Sequence, residues 1–192
     1  MNPTLLIIAI TAIATYRGFQ DPVFFAKYAG SPYQIKHNKE YYRLVSHMLL
    51  HADFMHVALN MFILYSFGEG LHYFFQVSFG SLSPLIFSLF YIIGGICGMV
   101  PLIKKYSHSA HYSCVGASGA VSAVIVAYMI AYPQSEVLFF LIPMPAYIAV
   151  ILFFITERLM QQYNRARVAH EAHIGGAVFG LLFVLLIKLL SP

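Results

Sequence analysis

Long stretches without a single charged side chain constrain this chain more than any other feature. From Gly70 to Ile103, and again from Cys114 to Ser135, there is no Asp, Glu, Lys or Arg. Roughly 20 predominantly apolar residues suffice for a helix to cross a bilayer, and several runs here reach that length. Of 192 residues, 60% are hydrophobic and only 9% charged, against about 25% charged in a soluble domain. The chain therefore reads as a polytopic helical membrane protein, one domain over 1–192, with no soluble N-terminal domain. Its formal charge of +4 belongs to loops facing lipid headgroups, and nucleic acid is not an expected partner. Cys97 and Cys114 both lie in apolar segments and read as small hydrophobes, not as a disulfide.

Six helices are expected, at about 3–20, 53–75, 84–103, 116–131, 137–156 and 172–190, forming an all-α bundle. The first has no basic residue before it and no cleavage site of small residues, so it reads as a retained helix and not a signal peptide. In the long connection from Gly18 to Asp53, charged Asp21, Lys27 and Arg43 interleave with Phe24, Tyr28 and Tyr42. Such a segment lies in the membrane interface. Glu157, Arg158, Arg165, Arg167 and Glu171 mark a loop between the fifth and sixth helices, read as a lid. Lys and Arg concentrate in the odd-numbered loops, and the positive-inside rule would place those on the cytoplasmic side.

Within such helices, a polar or ionisable side chain is costly and suggests function. His56, Asn60, Glu69, His72, Ser118, Ser122 and His173 are in that position. Ser118 lies in Gly116-Ala117-Ser118-Gly119, where a loop turns into an apolar helix. Gly116 permits a tight turn, and the helix start offers backbone N–H groups without helical partners. Alone, this pattern also describes a small-residue packing site; it is not G-x-S-x-G, since position 120 is Ala. His173, Gly176 and Gly180 share one helix face, a small-x-x-x-small surface that lets another helix approach closely. If the partner is the helix bearing Gly119 and Ala123, His173 comes level with Ser118, as a nucleophile and its base require. His56 and Asn60, at i and i+4, stack on one face and can donate to a developing oxyanion, or else tie helices together. His47 and His51 repeat that spacing, but no carboxylate completes a zinc set. His170-Glu171-Ala172-His173 is one residue short of H-E-x-x-H. No metal and no cofactor is expected.

Gly116-Ala117-Ser118-Gly119, His56 with Asn60, and Ala172-His173-Ile174-Gly175-Gly176, in that order, resemble the rhomboid intramembrane serine proteases, the bacterial GlpG type most. Tyr42-Arg43 stands where that family often has Trp-Arg. The resemblance implies a Ser118–His173 dyad without a carboxylate partner. It implies an oxyanion hole from the Ser118 backbone N–H and the side chains of His56 and Asn60. Substrates would be transmembrane segments of other proteins, cleaved in or near lipid, in a bacterial inner membrane with the site opening to the periplasm. That orientation opposes the charge count. Relatives often carry a tyrosine four residues after the serine, packed under the histidine; here it is Ser122, and what orients His173 stays open. Two other readings are a small-solute transporter, which would show internal repeats, and a silent protein that binds transmembrane segments. The latter would lack the serine or the histidine, and both are present.

Overall fold

The computed structural model describes residues 2–163 and 169–190, and they are mostly helical. Helix α1 (Pro3–Gln20) begins under the Asn2 side chain, which accepts from the N–H groups of Thr4 and Leu5. The Asn2 amide also donates to both carboxylate oxygens of Glu69, at 3.0 and 2.9 Å. Three short helices follow: α2 (Pro22–Tyr28), α3 (Pro32–His37) and α4 (Arg43–Ser46). Proline opens α2 and α3, where a missing N–H costs nothing, and Asp21 and Ser31 cap them. The long first connection is thus folded. Arg43 is buried and fastens it, donating to the carbonyls of Ala26 and Ala29 and pairing with Glu40 at 2.5 Å.

The remaining elements are α5 (Phe54–Phe79), α6 (Ser83–Tyr106), α7 (Ser118–Ala131), strands β1 (Glu136–Phe139) and β2 (Ile142–Pro145), α8 (Ala146–Tyr163) and α9 (His170–Leu190). The stretch Phe54–Tyr106 and helix α9 are long and apolar enough to cross a membrane. Helix α7 has 14 residues, and ten of them are buried. It is the axis of the bundle, packed against α9, α6, α5 and α8. Phe75, Phe87 and Phe90 fill the space between α5, α6 and α9 with tilted and edge-on rings, the arrangement that aromatic quadrupoles favour.

Two boundaries correct the sequence expectation. The fifth long helix does not start near 137 but at Ala146, because residues 136–145 form an antiparallel hairpin. Pro143 and Pro145 lack the N–H groups a helix needs there, and the tip residues Phe140 and Leu141 take φ of +49° and +67°. The same helix runs on to Tyr163, so Glu157 and Arg158 lie on α8 and not in a loop. Of the segment read as a lid, Arg165 and Arg167 fall outside the described residues.

Candidate active site

Helices α6, α7 and α9 meet almost backbone to backbone. A Cβ on Gly176 would collide with the carbonyl of Gly119, and one on Gly180 with that of Ala123. A Cβ on Gly98 would lie 2.9 Å from the Ala172 carbonyl oxygen, and one on Gly119 3.3 Å from the same atom. Gly176 and Gly180 thus face Gly119 and Ala123, the partner that the small-residue spacing implied. Ser118 is the chain neighbour of Gly119, and His173 that of Ala172. The two residues therefore flank one interhelical contact at the N-terminal ends of α7 and α9.

The loop leading to Ser118 is held residue by residue. Gly30 and Cys114 exchange backbone hydrogen bonds at 2.8 and 2.9 Å, and the Gly116 N–H donates to the His47 carbonyl at 3.0 Å. The Ala117 N–H donates to Nε2 of His51 at 3.3 Å. That contact fixes the His51 tautomer: its proton sits on Nδ1, which faces Thr15 Oγ1 at 3.1 Å, while the Thr15 hydroxyl donates to the Leu49 carbonyl at 3.0 Å. Gly116 has φ of +124°, a conformation only glycine adopts without strain. Beyond this loop, the first bond of the α7 ladder runs from the Val121 N–H to the Ala117 carbonyl. The N–H groups of Ser118, Gly119 and Ala120 therefore precede the helix's own ladder.

His56 closes the other side. A Cβ on Gly116 would lie 2.7 Å from Cε1 of its ring, so the imidazole rests on the glycine of the serine loop. The His56 ring meets that of His51 edge-on at 4.9 Å. One turn on, the buried Asn60 donates one amide proton to the His56 carbonyl at 2.9 Å, leaving the second for another acceptor. Ser122, also buried, is one turn along α7 from Ser118.

A residue that the sequence reading assigned to a loop completes the site. Oε2 of Glu157 on α8 lies 3.0 Å from Nδ1 of His173 and 2.8 Å from Nδ1 of His170. The donor atoms of these three residues all lie within 4.8 Å of one another, the one such His/Cys/Asp/Glu group among the described residues. They are the carboxylate and imidazoles that could hold a transition-metal ion. The adjacent charges Glu157 and Arg158 near the end of an apolar helix and the His170-Glu171-Ala172-His173 run were the signals that could have found them. An apolar cavity of about 570 Å³ lies at the opposite end of the bundle, lined by Phe79, Leu89, Ile93, Phe183 and Leu190, away from this chemistry.

Residues 38–189 match the family model described as Rhomboid domain. The chain belongs to the rhomboid family. This rhomboid is 28% identical over 151 residues to the human "Presenilin-associated rhomboid-like protein, mitochondrial", covering 73% of the chain and 38% of that protein. To "Rhomboid protein 1, mitochondrial" of Saccharomyces cerevisiae it is 26% identical over 142 residues, 69% of the chain and 38% of the relative. To "RHOMBOID-like protein 12, mitochondrial" of Arabidopsis thaliana it is 27% identical over 150 residues, 70% of the chain and 43% of the relative. The matched part thus spans about two fifths of these relatives' length. The resemblance to the GlpG type narrows here to the family: these relatives are eukaryotic and named mitochondrial.

Burial holds His51 well below the usual histidine range, to about 3, and His47 to about 4. A histidine whose folded pKa is depressed stabilises the fold above its unfolded value, and that stabilisation is lost as pH falls toward the folded value. The melting temperature should therefore drop from about pH 6.5 downward. His51→Gln, which cannot titrate but keeps an acceptor for the Ala117 N–H, should flatten that dependence. Melting curves recorded from pH 7 to pH 4.5 check this, and parallel curves for parent and variant would refute the assignment.

Proposed function

We propose that this rhomboid is an intramembrane serine endopeptidase that hydrolyses peptide bonds in or near transmembrane segments of other membrane proteins. The observation that supports this reading most is the close approach of Gly119 to the Ala172 carbonyl, because Ser118 and His173 are their chain neighbours. Ser118 Oγ attacks the substrate carbonyl while His173 takes its proton. The tetrahedral oxyanion is met by the Ser118 N–H, a remaining Asn60 amide proton and the His56 ring. His173 then gives the proton to the leaving amine, and water repeats the cycle on the acyl-enzyme. A protein that only bound transmembrane segments would have no use for keeping a serine and a histidine at one close-packed interhelical contact.

The test is labelling of the detergent-solubilised full chain with a fluorophosphonate probe, followed by peptide mapping. Adduct on Ser118, lost in His173→Ala, is expected. An unlabelled but folded protein would return the chain to the silent-binder reading.

The proposal includes six crossings by α1, α5, α6, α7, α8 and α9. It also includes a bacterial cell membrane of the GlpG type, with the site opening to the periplasm; the likeness of the three motifs supports this. The names of the relatives, all mitochondrial, suggest a mitochondrial membrane instead. Orientation is tested at Ser109, which is exposed between α6 and α7, on the site's side. In spheroplasts of a bacterial host, Ser109→Cys without Cys97 and Cys114 should react with an impermeant thiol reagent. Labelling only after lysis would favour the charge count.

A further inference from the structure

An imidazole can take the serine's proton on Nε2 only if Nδ1 already carries one and the ring is held toward the hydroxyl. In this chain the position one turn beyond Ser118 is the small Ser122, which offers no aromatic floor for the histidine. We infer that Glu157 is the positioning residue of His173, so that Ser118, His173 and Glu157 act in line. This rests on the serine-protease reading above.

The argument is one of donors and acceptors. An ionised carboxylate only accepts hydrogen bonds. Oε2 of Glu157 lies 3.0 Å from His173 Nδ1 and 2.8 Å from His170 Nδ1, so both imidazoles carry their proton on Nδ1. That leaves Nε2 of His173 with its lone pair, as a general base requires. The Glu157 side chain is only 17% exposed and that of His173 16%, so water competes weakly for the bond. When His173 becomes an imidazolium, the bond becomes charge-assisted on both sides and shortens. The stabilisation thus grows in the transition state, and stabilisation of that kind raises kcat. His170 bonds the same oxygen from the adjacent turn of α9 and steadies the carboxylate. Burying a carboxylate is costly without partners; two imidazole donors and a place beside the base account for its presence at the end of an apolar helix.

The experiment uses the full chain in detergent with a model transmembrane substrate. Glu157→Ala should lower kcat by about 10²-fold, the scale on which a misplaced catalytic group costs rate, with KM within about twofold. Glu157→Gln, which keeps the shape and one acceptor, should recover part of the loss. A readout insensitive to mere packing is ¹⁵N NMR of histidine-labelled protein, with His173→Ala giving the assignment. The parent should hold His173 as the Nδ1–H tautomer, and Glu157→Ala should release it to the Nε2–H form. An unchanged tautomer with lost thermal stability alone would reduce Glu157 to a tie between α8 and α9. Full kcat in Glu157→Ala, beside inactive Ser118→Ala and His173→Ala, would remove Glu157 and leave the dyad standing. Activity in Ser118→Ala would instead overturn the protease reading itself. A parent whose activity rises on chelation, and whose Zn²⁺ binding needs Glu157, His170 and His173, would make the cluster a metal site and overturn the inference.

Discussion

Ser118→Ala and His173→Ala are each expected to abolish cleavage of a transmembrane substrate while leaving a protein that melts close to the parent. Each removes half of a nucleophile–base pair, and neither half has a substitute nearby. Ser118 is the hydroxyl at the head of α7, and the other imidazoles near the serine are committed elsewhere, His56 resting on Gly116 and His51 accepting from the Ala117 N–H. The loss in kcat should approach the roughly 10⁶-fold seen when a serine protease loses such a group. The double variant should be no slower than either single one, because residues acting as a unit are not additive. Initial rates of the three purified variants, with melting temperatures as controls, decide the matter. A folded Ser118→Ala protein that still turns over would end the assignment.

For Asn60→Ala the expected loss is smaller and more diagnostic, up to about 10²–10³-fold in kcat, the scale of one lost oxyanion donor. KM should hardly move, since the charge it meets exists only in the transition state. The geometry gives this a definite form: one amide proton is committed to the His56 carbonyl at 2.9 Å, and the other is the one at issue. If Asn60 instead tied helices together, its loss would cost about 0.6 kcal/mol, the average for polar contacts between membrane helices. Measuring kcat, KM and thermal unfolding together separates the two. Full kcat would strike Asn60 from the site.

What the sequence made legible was whatever depends on spacing along one helix. Gly176 and Gly180 advertised a close-packing face, and the structure puts it on Gly119 and Ala123. The glycine of the serine loop advertised a turn that other residues resist, and Gly116 has a positive φ. Contacts that depend on how one segment returns to another were not legible. His51 was visible as one of several histidines, but nothing local says that the first connection folds back to receive the Ala117 N–H. Glu157 stands 16 positions before His173, and only the packing of α8 on α9 makes them neighbours. The hairpin at 136–145 was missed for a different reason. An apolar run has the same hydropathy as strand or helix, and its two prolines carried the information that the hydropathy did not.

The brevity of α7 sets a depth. Fourteen residues at about 1.5 Å each span about 21 Å, and the hydrocarbon layer is about 30 Å thick. If α7 crosses the bilayer as proposed, with its C-terminal end at one interface, Ser118 would sit about 9 Å below the other. On the protease reading, a substrate peptide bond would have to descend by that amount, out of its own helical hydrogen bonds, to reach the hydroxyl. Selection would then fall on how readily a segment unwinds near its end, more than on the side chains flanking the cut. Glycine or proline a few residues inside a substrate's membrane span should mark what this protein can cleave.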